Sequence, residues 1–542
     1  MNRRTLLKQM GLAGTALLLP RFSYGENQMI NGPFQPNWTS LEQFRTPDWF
    51  SDAKFGIWAH WGPQCQPENG DWYAREMYME GNRHYNFHLK KYGHPSRFGF
   101  KDVINEWKAE QWQPEELVSL YKQAGAKYFI AMANHHDNLD LYDSKYQPNW
   151  NSLKVGPKKD ILAGWAKAAS NQGLRFGVSI HAAHTWSWME TSQRADKTGP
   201  YAGIPYDGKL TKKEGTGKWW AGLDPQDLYE QNHPMSENGY DNGAIHRQWN
   251  WGNGVYPPSK AYCEKFHNRT IDLIEKYEPD LMYFDDTALP LWPVSDAGLR
   301  IAAHFYNRSV KSRKKLDVVI NGKILDPQQR KCMVWDIERG QSNSIEPLPW
   351  QTDTCIGDWH YDRSIYDRKG YKTAKTVIQM LVDIVSKNGN LLLNIPVRGN
   401  GSIDEEERKI VEEIGRWMAA NGDSIYGTRP WKIFGEGASL ENSAPLTAQG
   451  FNEGKGKPYD HTDIRFTSKG DVLYASIMEW PADGKVLIKS LGTASQFFKG
   501  DINRVTLVAN NTALQFSRNP EGLLIELPDR PALSYAIALK IN

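Results

Sequence analysis

The chain has 542 residues, and its 65 basic and 63 acidic side chains leave a formal net charge of +2. Because single hydrophobic cores stop growing at about 250–300 residues, we expect two domains. The near-zero charge balance gives no electrostatic basis for binding nucleic acid or an anionic membrane. The 22 Trp residues are an unusual number and provide flat rings that could stack on sugars.

Residues 1–25 are typical of an export signal. A twin arginine (Arg3, Arg4) precedes a Leu-Leu-Lys sequence and an apolar run that ends at Leu19. The run is too short to span a bilayer, and the paired arginines resemble a twin-arginine signal, which directs proteins across a bacterial inner membrane. We therefore expect a periplasmic or secreted protein without a membrane anchor. A frayed N-terminal helix is the alternative.

From about residue 50 to residue 420, short apolar runs alternate with helix-like segments. Pro114 suits the first turn of one helix, and Asp160 is a candidate N-cap for another. Alternation of strand and helix over this length predicts a parallel sheet covered by helices. The pattern predicts strands at 54–61, 126–133, 174–180, 281–286, 317–322, 332–338 and 390–397, and helices at 113–125, 160–173, 258–277, 295–313, 371–387 and 405–422.

The position of the polar residues distinguishes a closed barrel from an open sheet. An open nucleotide-binding sheet would have a glycine-rich turn after an early strand, and the sequence has none. A TIM barrel gathers the carboxyl ends of its strands at one mouth. We therefore expect an α/β fold with a (β/α)8 TIM-like barrel at 30–425. The polar residues that follow the predicted strands are His60, His135, His136, His181, His184, Asp285, Asp286, Asn321, Glu338 and Asn394.

The rest of the chain has a different character. Residues 431–542 contain short alternating runs separated by Gly, Pro, Asp and Asn, which predicts a small antiparallel β-sandwich. Residues 186–256 have weak periodicity and are interpreted as a long loop insertion near the barrel mouth. Four scattered cysteines favour isolated buried thiols, although a pair between Cys332 and Cys355 stays open.

Asp285 is the first candidate catalytic residue. A glycosidic bond is usually cut by two carboxyl groups, one of which attacks or activates water while the other protonates the leaving oxygen. Asp285 ends a hydrophobic run, where a carboxylate is costly unless it is hydrogen-bonded or used. Its neighbour Asp286 fits a residue that caps the following turn.

Glu338 is the candidate for the second carboxyl group because it occupies the same kind of strand end. Asp336 and Glu346 are neighbours that could take its place. Arg339 could hold Glu338 in a salt bridge, which would make it a poor general acid, since a general acid needs a raised pKa.

The adjacent histidines His135 and His136 also raise the question of a metal site. Neighbouring residues on a strand point to opposite faces, so both cannot bind one ion without a bend. The helical HExxH spacing is absent. We therefore expect the histidines to bind hydroxyl groups, and we expect no metal and no cofactor.

The sequence resembles the family 29 glycoside hydrolases, the retaining α-L-fucosidases. The resemblance covers roughly residues 40–425, and the order of its blocks is specific where any single block would be weak. The matching blocks are FGIWAHWG (55–62), DWY (71–73), AKYFIAMANHHDNLDLYDSKYQPNWNS (126–152) with KKDIL after it, GLRFGVSI (173–180), PDLMYFDD (279–286) and WQTDTCIGDWHY (350–361).

The resemblance implies roles for individual residues. The aspartate of the family's W-F-D-G motif, its nucleophile, falls on Asp285, and the ERG at 338–340 looks like one version of the acid/base. The family's sugar-binding residues fall on His60, Asp71, Trp72, His135 and His136, and an apolar wall for the sugar methyl group would come from aromatic residues such as Trp58, Trp72 or Phe284.

The sequence departs from the family pattern in four places. Asn138 replaces a glycine, YFDD replaces WFDG, SIHAAH stands where tyrosines are commoner, and Gln351 stands where some members have Glu. The last departure favours Glu338 as the acid.

Together these features predict an exported exo-glycosidase that releases terminal α-L-fucose with retention. Its partner would be a fucosylated or L-galactose-containing oligosaccharide. The alternatives are an α-L-galactosidase that acts on algal polysaccharide and a catalytically silent barrel that binds glycans. A metallohydrolase is a further possibility.

Overall fold

The computed structural model describes residues 30–242, 251, 254–441, 451–530 and 534–542. The export signal predicted at 1–25 lies outside the described residues, and the predicted domain limits stay predictions. Within the described ranges, no helix has both the length and the apolar character needed to cross a bilayer.

Eight parallel strands close into a barrel, which confirms the predicted TIM-like fold. Each strand pairs with the next along the chain, and the first pairs with the eighth to close the sheet, with Trp58 opposite Asn394. The strands are buried almost throughout, as expected of a parallel sheet covered on both faces. They are β1 (Phe55–Ala59), β2 (Tyr128–Asn134), β3 (Arg175–Ile180), β4 (Leu281–Thr287), β5 (Val319–Lys323), β6 (Val334–Glu338), β7 (Trp350–Cys355) and β8 (Gly389–Asn394).

Strand β7 was missing from the predicted strands because its sequence, WQTDTC, is largely polar. Its side chains find partners inside the barrel. The amide of Gln351 donates to Asp336 at 2.7 Å and accepts a hydrogen bond from the Tyr128 hydroxyl at 2.8 Å. Asp353 accepts a hydrogen bond from the Tyr283 hydroxyl at 2.7 Å. A hydrophobicity pattern cannot detect a strand whose polar groups are satisfied in this way.

Helices surround the barrel and begin where the sequence supplies caps. Asp160 accepts a hydrogen bond from the backbone N–H of Ala163, as predicted, and Asp404 forms a capping box with Glu407. The helices are Trp38–Leu41, Asp48–Ala53, Tyr73–Glu76, Arg83–Lys91, Phe100–Glu106, Pro114–Gln123, Ile161–Asn171, Thr185–Trp188, Gln226–Tyr229, Lys260–Tyr277, Ala297–Arg313, Arg363–Asp367, Ala374–Ser386 and Glu405–Asn421.

After the barrel the chain forms two antiparallel sheets, which agrees with the predicted β-sandwich. The strands are β9 (Arg429–Glu436), β10 (Ile464–Lys469), β11 (Val472–Ile477), β12 (Lys485–Ile488), β13 (Val505–Leu507), β14 (Gln515–Arg518), β15 (Leu523–Glu526) and β16 (Ile537–Ile541). One sheet has the order β13-β16-β11-β10-β9 and the other the order β12-β15-β14, and their apolar faces share one core.

Buried polar contacts join the sheets to the barrel helices. Arg465 of β10 donates to Asp383 at 2.6 Å, and Lys387 lies 2.6 Å from the same carboxylate. All three side chains are almost fully buried. The indole N–H of Trp417 donates to the carbonyl oxygen of Ala536 at 3.0 Å. The sheets therefore pack directly on the barrel.

The described part of the 186–256 insertion consists of short helical turns with little regular structure. Trp188 lies at its start and packs against the rings of His135 and His136, at centroid distances of 5.9 Å and 5.3 Å. All four cysteines are buried and free, so Cys332 and Cys355 do not pair.

Candidate active site

A single pocket at the carboxyl ends of the barrel strands contains both predicted catalytic residues and six predicted sugar-binding residues, whereas Phe284, a candidate for the apolar wall, is buried and does not line it. Its volume is about 290 Å³, near the lower end of the roughly 300–1,000 Å³ typical of small-molecule sites. The predicted residues that line it are Trp58, His60, Asp71, Trp72, His135, His136, Asp285 and Glu338.

Asp285 lies at the end of β4 and has donors on both of its carboxylate oxygens. Its Oδ1 accepts from Lys323 Nζ at 2.7 Å, and its Oδ2 lies 3.3 Å from His136 Nε2 and 3.3 Å from His181 Nδ1. Burial alone would raise the pKa of Asp285, but Lys323 and the two histidines hold it well below its usual value. Asp285 is therefore an ionised carboxylate at neutral pH.

Glu338 lies at the end of β6 and shares the same lysine, since its Oε2 is 2.6 Å from Lys323 Nζ. Burial raises the pKa of Glu338 to about 7. The negative charges of Asp353 and Asp285 also raise this pKa, whereas Lys323 lowers it. A carboxyl group with this pKa can give up or take a proton near neutral pH, as a general acid/base must.

Lys323, the last residue of β5, sets the spacing of the two carboxyl groups. The bound oxygens of Asp285 and Glu338 lie 2.7 Å and 2.6 Å from one nitrogen, so they cannot be farther apart than the sum of these distances. Retaining glycosidases place their carboxyl groups about 5–5.5 Å apart, whereas inverting enzymes need about 6.5–9.5 Å to admit a water. The short spacing favours direct attack by a carboxylate.

The residues considered as substitutes for Glu338 lie outside the pocket. Asp336 is buried beneath it and accepts a hydrogen bond from Gln351. Glu346 accepts from the hydroxyl of Ser342 and pairs with Arg330.

Two other expectations concern the neighbours of the carboxyl groups. Arg339 pairs with Glu453 at 3.4 Å and not with Glu338. Glu338 pairs with Lys323 instead, and its pKa stays raised in spite of that contact. Asp286 was expected to cap a turn, but it lies within β4, and its Oδ1 is 2.7 Å from Nε2 of the buried His184.

Buried histidines line the side of the pocket near β1 and β2. Burial holds the pKa of His60 and of His135 well below the usual value, and neighbouring histidines lower both further. Both ring nitrogens of His60 are buried without a hydrogen-bond partner among the described residues. Such orphaned groups are costly unless a ligand satisfies them. A neutral imidazole has one donor and one acceptor, which suits a sugar hydroxyl.

The prediction that His135 and His136 point to opposite faces was wrong. Strand β2 ends at Asn134, and the chain turns directly after it, so both rings line the same pocket. Their ring centroids are 4.5 Å apart. A strand rule cannot be applied to residues beyond the strand end.

The clustering creates two groups that could hold a metal ion among the described residues. His135, His136 and His181 form one, and His60, Asp71, His135 and His360 form the other, with potential ligand atoms within 4.8 Å of one another in each group. In the first group Nδ1 of His136 donates to the carbonyl oxygen of His181 at 2.7 Å, and His181 faces Asp285. These nitrogens of His136 and His181 therefore already face protein partners.

Asp71 and Trp72 are held at the pocket by the loop after β7. Asp71 Oδ1 lies 2.6 Å from His360 Nδ1, and the backbone N–H of Asp71 donates to Asp358 at 3.2 Å. Trp72 adopts a left-handed φ of 64°, which a non-glycine residue rarely does without support from its surroundings.

Sequence reasoning missed several residues of the site. His181 was noted as a strand-end polar residue but not included in the site. Lys323 lies one residue beyond the predicted strand 317–322, a position that could have indicated it. The missed residues that line the pocket are His181, Tyr283, Asp286, Lys323, Ile324, Arg339, Asp353, Asp358, Trp359 and Phe451.

Comparison with known sequences identifies relatives over nearly the whole chain. The sequence model of the family Alpha-L-fucosidase matches residues 23–423, and that of the Alpha-L-fucosidase C-terminal domain matches residues 458–542. The tissue alpha-L-fucosidase of Rattus norvegicus is 24% identical over 517 residues, which cover 93% of this chain and 90% of that protein. The tissue alpha-L-fucosidase of Homo sapiens is 25% identical over 537 residues, which cover 96% and 94%.

Solved structures share the fold. The Thermotoga maritima alpha-fucosidase in complex with fucose aligns with a TM-score of 0.67 at 24% identity, over 94% of this chain and 100% of that chain. Alpha-L-fucosidase isoenzyme 1 from Paenibacillus thiaminolyticus aligns with a TM-score of 0.59 at 21% identity, over 93% and 99%. At these identities the likeness supports the fold, whereas the family models cover most of the sequence. The chain therefore belongs to the alpha-L-fucosidase family of glycoside hydrolases.

Proposed function

We propose that the protein is an exo-acting, retaining hydrolase that releases terminal α-L-fucose from oligosaccharides. Asp285 attacks the anomeric carbon, and Glu338 protonates the departing oxygen. The observation that carries this proposal is the bridge through Lys323, which holds an ionised and a protonatable carboxyl group at the spacing of a double displacement. The small pocket accommodates one terminal sugar unit and favours exo action.

The terminal sugar would be bound by the histidine side of the pocket. His60, His135 and Asp71 supply donors and acceptors for its hydroxyls. Trp58 and Trp72 supply apolar surface for the sugar methyl group, and Trp58 is held by a hydrogen bond from its indole N–H to Ser179 at 3.2 Å. Direct hydrogen bonds to buried polar groups discriminate strongly, because a sugar that lacks the hydroxyl leaves them unpaired.

The charge on Asp285 couples the two chemical steps. That charge is one of the causes that raise the pKa of Glu338, so it helps to keep the acid protonated before the reaction. When Asp285 becomes an ester to the sugar, its charge disappears and the pKa of Glu338 falls. Glu338 is then a carboxylate that accepts a proton from the water attacking the intermediate, which completes hydrolysis with retention.

The stereochemistry of azide products tests both assignments. In Asp285→Gly, azide can enter the vacated space and attack an α-L-fucosyl substrate directly, so the expected product is the β-azide. In Glu338→Ala, azide attacks the glycosyl-enzyme, so the expected product is the α-azide. NMR of the products distinguishes the two anomers. The same anomer from both variants, or an inverted sugar from the wild type, would contradict the proposal.

A pair of nitrophenyl glycosides tests the sugar and the reaction class. We expect faster release from nitrophenyl α-L-fucoside than from nitrophenyl α-L-galactoside, because the latter replaces the methyl group by a hydroxymethyl group. A preference for the galactoside would favour the α-L-galactosidase alternative. Binding of both without turnover would indicate a silent barrel, and loss of activity with a chelator would favour a metal-dependent reaction.

We also propose that residues 1–25 direct export to the periplasm or beyond. The support is the twin arginine, Arg3 and Arg4, ahead of a short apolar run. Replacing both by Lys should keep the protein in the cytoplasm of a bacterial host with a twin-arginine pathway, as measured by cell fractionation. Unchanged export of that variant would exclude a twin-arginine route.

A further inference from the structure

The side of the pocket opposite the histidines carries two exposed apolar side chains and one arginine. Ile324 is 53% exposed and Phe451 is 51% exposed, and both line the pocket. Arg339 lines it beside them, with its side chain 35% exposed. We call Ile324, Arg339 and Phe451 the rim patch. Exposed large apolar side chains grouped at the edge of a pocket are typical of a binding surface.

Each member of the rim patch is tied to the catalytic pair through the backbone. Ile324 directly follows Lys323, and Arg339 directly follows Glu338. The backbone N–H of Phe451 donates to the carbonyl oxygen of Glu338 at 2.8 Å. The rim patch therefore surrounds the acid and not the histidine side, where the terminal sugar would be bound.

The backbone at the rim is strained. Ile324 has a φ of 52° and Arg339 a φ of 43°, both in the left-handed region. This region is a genuine outlier for a β-branched residue such as Ile, and a residue held there is strained. Strain of this kind persists only where the surroundings enforce it, and it is concentrated at functional sites.

The contacts that hold Arg339 and its neighbours come from a segment that follows the barrel in sequence. The backbone N–H of Glu453 donates to the carbonyl oxygen of Arg339 at 2.9 Å. The side chain of Asn452 accepts from the backbone N–H of Gln341 and donates to its carbonyl oxygen, each at 2.9 Å. Glu453 is fixed in turn by Lys372, at 2.9 Å. Phe451 is thus held at the pocket by neighbours that are themselves anchored.

We propose that the rim patch is the subsite for the leaving group, and that the leaving group it fits is a pyranose sugar. The proposal rests on the proposed function. The oxygen that Glu338 protonates belongs to the leaving group, so the leaving group must lie against the residues around Glu338. Phe451 and Ile324 offer apolar surface to the C–H face of a sugar ring, and Arg339 offers guanidinium donors to its hydroxyls. A methyl or fluoride leaving group is too small to use this surface.

Three substrates separate leaving-group binding from the other steps. α-L-Fucosyl fluoride needs neither a ring in the rim patch nor protonation by Glu338. Methyl α-L-fucoside needs protonation but has no second ring. The disaccharide 2-O-α-L-fucosyl-galactose needs both. The quantity measured is kcat/KM for each substrate.

We expect Phe451→Ala to lower kcat/KM about tenfold for the disaccharide, the effect of losing one apolar contact with a substrate. Values for the fluoride and the methyl fucoside should stay within about twofold of wild type, a range we take as no change. Ile324→Ala should give the same pattern, and the two variants keep the backbone N–H and C=O groups. The matched control is Leu348→Ala, which removes a side chain that is 45% exposed and lies outside the pocket.

The pattern across substrates decides between the explanations. A selective loss on the disaccharide supports the subsite. An equal loss on the disaccharide and the methyl fucoside would show that Phe451 acts through Glu338 and would overturn the proposal, as would no loss on any substrate. A wild-type protein inactive on the fluoride would overturn the proposed function, and the subsite with it.

Discussion

The ends of β4 and β6 each deliver one carboxyl group to the pocket, yet the two groups bind a proton with very different strength. Both are buried, and burial raises the pKa of either. Asp285 is surrounded by Lys323, His136 and His181, whose contacts outweigh burial. Glu338 faces two negative charges, and its pKa is about 7. The comparison shows that the charges and donors around each group, and not the depth of burial, assign the roles of nucleophile and acid.

The largest expected effect comes from removing the ionised carboxylate of Asp285. Asp285→Asn should lower kcat on nitrophenyl α-L-fucoside by about 10⁴-fold, since an amide cannot form the glycosyl-enzyme. Asp286→Asn is the matched control, and we expect it to lower kcat by less than about tenfold because that carboxylate faces His184. If only the Asp286 variant lost the glycosylation step, the assignment of Asp285 as the nucleophile would be wrong.

A smaller effect is expected when both carboxyl groups lose their shared cation. Lys323→Met should lower kcat/KM by about 10²-fold, of the order seen when one positioned electrostatic group is removed. Because Lys323 lowers the pKa of Asp285 and of Glu338, its loss should move both limbs of the pH profile to higher pH. Lys323→Arg keeps the charge and should keep the limbs close to their original positions. A rate loss in the Met variant without movement of either limb would mean that Lys323 acts only as a structural contact.

The smallest expected effect is a change in the pKa of Glu338. In the wild type, kcat/KM should fall as pH rises through about 7, where Glu338 loses its proton, and should persist below pH ~4 because the pKa of Asp285 is depressed. Asp353→Asn removes a negative charge that raises the pKa of Glu338. Its alkaline limb should therefore shift to lower pH, by about one unit or less. A shift to higher pH would contradict the electrostatic explanation.

The barrel and much of its site could be predicted from the sequence because of two simple regularities. Apolar runs such as 126–133 become buried parallel strands, and polar residues directly after them meet at one mouth. Asp285 and Glu338 were found in this way. The family resemblance then added Asp71 and Trp72, which lie on no predicted strand.

The remaining residues could not be predicted, for physical reasons. Strand β7 has polar side chains that are satisfied only by partners on other strands. Lys323 is one of 65 basic residues, and nothing local marks it as the bridge between two acids. Phe451 lies 113 positions after Glu338 in the sequence, and only the folded structure shows that the two residues are in contact.

The buried pairing of Arg465 with Asp383 has a consequence for engineering this enzyme. Truncation at the barrel boundary would remove Arg465 and leave Asp383 paired with Lys387 alone. A chimera that borrows its terminal sheets from a relative would inherit the same deficit unless the donor supplies a cation opposite Asp383. The residue that faces Asp383 therefore limits which terminal sheets can be joined to this barrel.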